Sequence, residues 1–521
     1  MKNPIIRGFY PDPSIIRVGS DYYIANSTFE WFPAITIHHS CDLINWRPCG
    51  GIFNDNRHID LKGIPDSGGI WAPSLSYADG LFYMVYTIMY GKTPPFKDLK
   101  NFLVTAPSIN GPWSEPIYLN SSGFDPSLFH APDGSKWVLN IQWDFRKGKP
   151  NFGGIILDEY NPKNKKVAGS PVCILKKDKL IEGPNLYWKD GYYYLMLAEG
   201  GTGRNHSISM ARAENITGPY ELDPRPAVLT TRDNPEYPFQ KAGHGEIVQA
   251  PDGQWYLAHL CSRPVGKHKM CILGRETALQ ECYWTEDGWL RLNNGTSLPD
   301  VEIEVSDENS DNDTEQVEIW DEFDKDELAA TWTTLRQPAD ESWVSLAARK
   351  GWLRVYGGES TTSLFRQSLL VKRLQEFTVV AETAVEFNPT CFNHMAGLIC
   401  WYDTDNHFYL RITHDEEYGK MLGIILKDDG AYDELKEYQV EINDCEKVFL
   451  QARLDHDNLQ FYFSKNGQEW QKIGPVLEAW KLSDDYAGKL KFTGGMVGIC
   501  VQDLQMSKQY ADFEYFKLRQ K

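Results

Sequence analysis

Along the chain, apolar and polar residues alternate in short runs, and few segments sustain the 3.6-residue period of an amphipathic helix. Phe377, Val379, Ala381, Thr383, Val385 and Phe387 alternate without a break, which predicts one half-buried strand. Phe461-Tyr462-Phe463-Ser464-Lys465-Asn466-Gly467 predicts a strand running into a tight turn, because Asn-Gly tolerates positive φ. Over the first 290 residues the runs recur in phase. A turn followed by an aromatic strand stands at Gly19-Ser20-Asp21-Tyr22-Tyr23, Asp79-Gly80-Leu81-Phe82-Tyr83, Asp133-Gly134-Ser135-Lys136-Trp137, Asp190-Gly191-Tyr192-Tyr193-Tyr194 and Asp252-Gly253-Gln254-Trp255-Tyr256. A second motif precedes each turn: Asp12-Pro13-Ser14-Ile15, Ala72-Pro73-Ser74-Leu75, Asp125-Pro126-Ser127-Leu128, Gly183-Pro184-Asn185-Leu186 and His244-Gly245-Glu246-Ile247. Five units of about 55 residues fit five four-stranded blades. The fold class is therefore all-β: a five-bladed β-propeller over residues 1–300, followed by a C-terminal β-sandwich. In a propeller the first strand of each blade lines the channel, so a motif at the head of that strand gathers its five copies around one axis.

Composition agrees with strands and turns. There are 17 Trp, 27 Tyr and 24 Phe against 42 Gly and 29 Pro. The 53 basic and 72 acidic side chains leave a formal charge of −19, which repels phosphate backbones and argues against a nucleic-acid partner. No run of 18 apolar residues exists, so no membrane-spanning segment is expected. The ten Cys contain no CxxC pair and read as reduced, mostly buried thiols. Met1-Lys2-Asn3-Pro4-Ile5-Ile6-Arg7 has no apolar signal core, so a cytoplasmic location is expected. Residues 302–327 hold 13 acidic residues and one Lys, about −12 of the total charge. Asp307, Asn309, Asp311, Asp313 and Glu318 partly match a calcium loop, but Asn312 stands where glycine is required. The stretch 301–319 reads instead as a solvated acidic linker, with the sandwich at 320–521. His38-His39 sits in an alternating strand and reads as structural or solvent-facing. Gly200-Gly201-Thr202-Gly203 lacks the lysine of a phosphate loop and reads as a turn.

The chemistry follows from the repeat. At its five heads stand Asp12, Trp71 with Ala72, Asp125, Glu182 and His244. Each Asp before Pro, taken alone, is a turn residue. Three carboxylates on one axis are costly without a purpose, and their crowding raises at least one pKa, as an acid–base pair requires. Carboxylates between aromatic walls suit glycoside hydrolysis: one protonates the leaving oxygen, and another activates water or attacks directly. A non-catalytic carbohydrate-binding propeller needs no such trio.

Phe9-Tyr10-Pro11-Asp12-Pro13-Ser14, Phe29-Glu30-Trp31-Phe32-Pro33, Gly69-Ile70-Trp71-Ala72-Pro73-Ser74, Gly123-Phe124-Asp125-Pro126-Ser127, Glu182-Gly183-Pro184 and Leu273-Gly274-Arg275-Glu276-Thr277 together resemble glycoside hydrolase family 43, in its two-domain branch of β-xylosidases with α-L-arabinofuranosidase activity. The resemblance covers nearly the whole chain and implies a concanavalin A-like sandwich packed on the propeller. It implies Asp12 as general base, Glu182 as general acid, and Asp125 as the group that tunes and orients the acid. Arg275 would bind a sugar hydroxyl and the carboxylates, Phe29 and Trp71 would wall the pocket, and His244 would lie on the channel axis. The mechanism implied is inverting, with Asp12 and Glu182 roughly 6.5–9.5 Å apart. The implied substrate is a xylo-oligosaccharide or arabinosyl-oligosaccharide, and the implied assembly a dimer or tetramer. No cofactor is required, although some relatives hold calcium through waters near the residue matching His244. An endo-arabinanase on the same propeller is the alternative, but it needs an open groove. In Phe492-Thr493-Gly494-Gly495-Met496-Val497-Gly498, Met496 takes the place where an aromatic is expected, and so becomes the candidate to cap the pocket.

Overall fold

The computed structural model describes residues 2–303, 317–488 and 490–521. Among them strands dominate, and helix is confined to the four residues Asp484–Ala487 and two 3₁₀ turns. Five antiparallel sheets follow one another around a ring. The innermost strands are Ser14–Val18, Gly69–Ala78, Ser127–His130, Ile181–Lys189 and Gln240–Gln249, each hydrogen-bonded to the next strand of its own blade. The Asp-Gly turns join the first and second strands of blades two to five, as their positive φ values require: Gly80, Gly134, Gly191 and Gly253 lie between 76° and 92°. Residues ahead of the first strand close the ring against the last blade. Asn3 exchanges hydrogen bonds with Leu279, and Ile6 pairs with Thr277.

The C-terminal unit is a sandwich of two large antiparallel sheets. Thr378–Glu386 alternates as the sequence predicts, burying Val379, Ala381 and Val385 in the core. The turn at Asn466-Gly467 is also present, with Gly467 at φ 75°. Residues 304–316 of the acidic stretch lie outside the described residues, and with them Asp307, Asn309, Asp311 and Asp313.

The two domains share a sheet. The two-residue strand Trp31–Phe32 leaves the first blade and pairs with Thr333–Leu335 of the sandwich. Around it, Arg336 is fully buried and donates from Nη2 to Asp66 Oδ1 (2.6 Å) and from Nε to the Ile64 carbonyl (2.7 Å). Lys491 pairs with Asp403 and lies 3.6 Å from Asp66. A buried charge network of this kind is costly to break, because removing one partner strands the other. It therefore fixes how the sandwich sits on the propeller.

Of the ten cysteines, six are buried, as expected. Cys41, Cys49 and Cys173 are exposed, Cys391 is half-buried, and all ten are free thiols.

Candidate active site

The five repeated heads share a backbone conformation. Asp12, Ala72, Asp125, Gly183 and His244 all have left-handed φ, at 52°, 26°, 53°, 54° and 38°. For a non-glycine residue this costs about 1–2 kcal/mol, so the same kink in five blades reflects a shared geometric demand. It turns each inner strand abruptly where it reaches the channel mouth. Glu182 and Trp71 stand one residue earlier. In those blades two residues, Gly183-Pro184 and Ala72-Pro73, bulge out of the ladder, and a bulge re-aims the side chain beside it. Blade four cannot carry a side chain at the kink itself. A Cβ on Gly183 would lie 2.8 Å from the His244 ring, which is why its carboxylate comes from the neighbouring position.

Asp12, Asp125, Glu182, His244, Trp71, Phe29 and Arg275 are all brought together, around one cavity of about 230 Å³. Asp12 is the most firmly held. Arg275 donates to its Oδ1 (2.7 Å), Ser27 donates to its Oδ2 (2.7 Å), and His244 Nδ1 lies 4.0 Å from Oδ1. Burial pushes this carboxyl up, but Arg275, His244 and Ser27 outweigh it and hold it below the ordinary aspartate range. Glu182 is the opposite case. Burial pushes it up to about 7, with Asp12 adding to the rise and Lys97 and Arg275 opposing it. Asp125 is driven well above its usual range by burial, Glu182 and Asp12. The Gly183 N–H donates to Asp125 Oδ2 (3.1 Å), and a donor favours the charged form. Glu182 has no such donor among the described residues; burial and the crowding of the two carboxyls retain a proton between them.

Two residues below each kink lies a second ring: Ser14, Ser74, Ser127, Asn185 and Glu246. Ser14 and Ser74 donate to the two oxygens of Glu246 (2.8 and 3.3 Å), Asn185 also bonds to it, and Ser127 bonds the Pro184 carbonyl. One buried carboxyl thus ties the strand heads that carry Asp12, Trp71, Glu182 and His244.

Several site residues lie outside the repeat. Lys97 holds its ammonium over the rings of Trp71, Phe124 and Trp143, at 4.8, 5.1 and 4.7 Å. Burial lowers its pKa, while Glu182 and Asp125 oppose that shift. Gly201 and Thr202, from the stretch read as a turn, line the cavity with Leu180. From the sandwich come Leu490 and Phe492. The Phe492 ring lies 5.5 Å from Trp71 and 5.9 Å from Phe29. Its N–H donates to Ser67 Oγ (2.9 Å), and its carbonyl accepts from Arg275 Nη2 (3.3 Å). This corrects the expectation for Met496. That residue begins the strand Met496–Asp503 and is fully buried in the core, so the cap is Phe492, four residues earlier. The loop carrying Phe492 approaches through a glycine contact. A Cβ on Gly494 would lie 2.7 Å from the Leu273 carbonyl, beside the turn that presents Arg275.

At His244 a calcium ion would find few direct ligands and would have to be held through waters. Calcium takes 6–8 oxygen ligands. His244 offers nitrogen, and the carboxylate oxygen beside it is already paired with Arg275.

The model of the glycosyl hydrolases family 43 matches residues 1–290, and the beta xylosidase C-terminal concanavalin A-like domain matches residues 320–519. A beta-xylosidase of Bacillus subtilis is 43% identical, with 100% of this chain and 99% of that protein covered. A xylosidase/arabinosidase 43B of Humicola insolens is also 43% identical, covering 100% and 97%. The crystal structure of a xylan beta-1,4-xylosidase from Bacillus halodurans C-125 superposes with a TM-score of 0.96, at 50% identity and with both chains fully covered. By its matched domains and its full-length relatives, the chain belongs to glycoside hydrolase family 43 and is a glycosidase.

Proposed function

We propose that this glycosidase releases D-xylose from the non-reducing ends of β-1,4-xylo-oligosaccharides by a single inverting displacement, with α-L-arabinofuranosidase activity at the same site. The observation that carries the reading is the opposed surroundings of two carboxyls in one pocket: Arg275, His244 and Ser27 hold Asp12 low, and burial pushes Glu182 up to about 7. Environments that push two titratable groups apart assign the base and the acid. Asp12 takes a proton from water as it attacks the anomeric carbon, and Glu182 gives its proton to the departing glycosidic oxygen. With the shared proton on Glu182, Asp125, fixed by the Gly183 N–H, keeps it in place by repulsion. Arg275 orients Asp12 and has a second nitrogen directed at the Phe492 carbonyl, at the pocket wall where a sugar hydroxyl would lie. Phe29, Trp71 and Phe492 exclude water and pack on the sugar's C–H faces.

End-on attack is supported by the sandwich loop, which walls one side of the cavity with Leu490 and Phe492. An endo-arabinanase would need a groove open on both sides. The pentose range is supported by the xylosidase and xylosidase/arabinosidase names of the full-length relatives. The test is parallel hydrolysis of aryl β-D-xyloside, aryl α-L-arabinofuranoside and xylobiose. Turnover of all three, with xylose the sole product from xylobiose, is expected. Hydrolysis of internal arabinan bonds with none of the three cleaved would overturn the assignment.

A further inference from the structure

A second cluster of chemistry-bearing side chains lies at the far end of the first blade. Asp21 opens the strand Asp21–Asn26, His39 lies in Ala34–Ser40, and Cys41 follows directly. The first strand runs from its head at Asp12 to Val18, which pairs with Asp21. At about 3.3 Å per residue, this places the cluster roughly 15–20 Å from the pocket. His39 and its neighbour His38 point to opposite faces of the sheet. His38 is buried edge-on against Tyr10 at 4.7 Å, whereas His39 is partly open to solvent beside Asp21. The adjacent histidines therefore do not act as a pair.

Two of the three distances in the cluster are near those between the ligands of a zinc site. His39 Nε2 lies 2.6 Å from Asp21 Oδ1, and Cys41 Sγ lies 3.6 Å from that oxygen and 3.8 Å from that nitrogen. Tetrahedral zinc, with sulfur at about 2.3 Å and nitrogen and oxygen at about 2.0–2.2 Å, separates sulfur from either by about 3.6 Å, and nitrogen from oxygen by about 3.4 Å. The two sulfur edges already match. The third is closed by a hydrogen bond that an ion would replace, and it must open by about 0.8 Å. Among the described residues this is the one group of three His, Cys or carboxylate ligand atoms gathered within 4.8 Å. We propose that Asp21, His39 and Cys41 form a surface site for a thiophilic divalent cation of the zinc or cobalt class, with water at the fourth vertex. The thiolate and carboxylate balance the ion's charge, and imidazole supplies the neutral ligand. Binding passes the Cys41 thiol proton to solvent and frees water from the ion, so no oxidant or reductant is involved.

The test titrates cobalt(II) into the full-length protein after metal stripping. One equivalent should produce a thiolate-to-cobalt charge-transfer band in the near ultraviolet, with visible bands of tetrahedral intensity, and zinc should bleach both. Cys41→Ser should abolish the charge-transfer band, and His39→Ala should weaken binding by more than about 100-fold, beyond what losing an outer partner costs. Cys49→Ser and Cys173→Ser, which alter the other two exposed thiols, should change neither. Both ligand variants should hydrolyse aryl xyloside at the parental rate, which also shows that they fold. No charge-transfer band in the parental protein, or a band that survives in Cys41→Ser, would overturn the proposal.

Discussion

The propeller and the sandwich meet at the same pocket but supply different things. From the propeller come the ionisable groups, and Asp12, Asp125, Glu182 and His244 are set at or beside one kinked backbone position used five times. Among the described residues the sandwich gives no ionisable group to the cavity lining. It sends one loop, with the ring and carbonyl of Phe492 and the side chain of Leu490. Proton transfer needs groups held within tenths of an ångström. Inner strands knotted together by Glu246 and its ring of hydroxyls can hold them so. Shape can be supplied from outside, provided the second domain is fixed by a shared strand and buried charges. Chemistry should then fail when the propeller is altered, and substrate fit should fail when the sandwich is altered.

The sharpest separation lies within the propeller. Asp12→Ala should lose roughly 100- to 10,000-fold in kcat on xylobiose and on nitrophenyl xyloside alike, because water must be activated in both. Glu182→Ala should lose a similar factor on xylobiose and far less on nitrophenyl xyloside, whose leaving group departs without a proton. Equal losses on both substrates would remove Glu182 from the acid role.

The pH dependence comes next. In the proposed mechanism the active form carries ionised Asp12 and protonated Glu182. The kcat/KM should therefore fall as pH rises through about 7, where Glu182 loses its proton, and fall again only in the acid range below the ordinary aspartate pKa. Asp125→Asn removes a negative charge beside Glu182, so the acid ionises more easily and the alkaline limb should move to lower pH. A limb that stays or rises would contradict the tuning role.

Altering the sandwich should look different. Phe492→Ala removes one wall, and losing its packing should cost about 1–2 kcal/mol, or roughly 5- to 30-fold in kcat/KM. The loss should be carried mainly by KM, be equal for the two leaving groups and leave the pH limbs in place. Met496→Leu, a volume-conserving change in the core, should leave kcat/KM within about twofold and cost less than about 1.5 kcal/mol of stability. A large effect on KM there would restore Met496 as the cap.

The same division governs what could be read from the sequence. Asp12, Asp125 and His244 were legible because the repeat puts them at one phase, and Glu182 and Trp71 because they stand next to it. What could not be seen was that Gly183 must be bare to clear the His244 ring, so that blade four uses the position before. Lys97, from the connection between Leu81–Gly91 and Asp98–Ala106, was missed because connections outside the inner strands do not repeat. Gly201 and Thr202 fell within a turn, as expected, but nothing in their composition shows that the turn faces the cavity. Phe492 lies more than 300 residues from Glu182, and only domain docking brings it to the site. The segment from 492 to 498 contains both an aromatic and a methionine, and the alternation that sends Met496 inward begins only where the strand starts. The strand Trp31–Phe32 is too short to show a period, so the sheet shared by the two domains was also beyond reach.

The central step proposed is direct displacement of the leaving group by water that Asp12 activates, while Glu182 protonates the departing oxygen. Proton NMR of the first sugar released from an aryl β-D-xyloside, recorded before mutarotation sets in, tests this most directly. Under single displacement α-xylose appears first and the β anomer grows in later. If β-xylose appears first, a carboxylate has attacked the sugar as a nucleophile, and the roles of both Asp12 and Glu182 are contradicted.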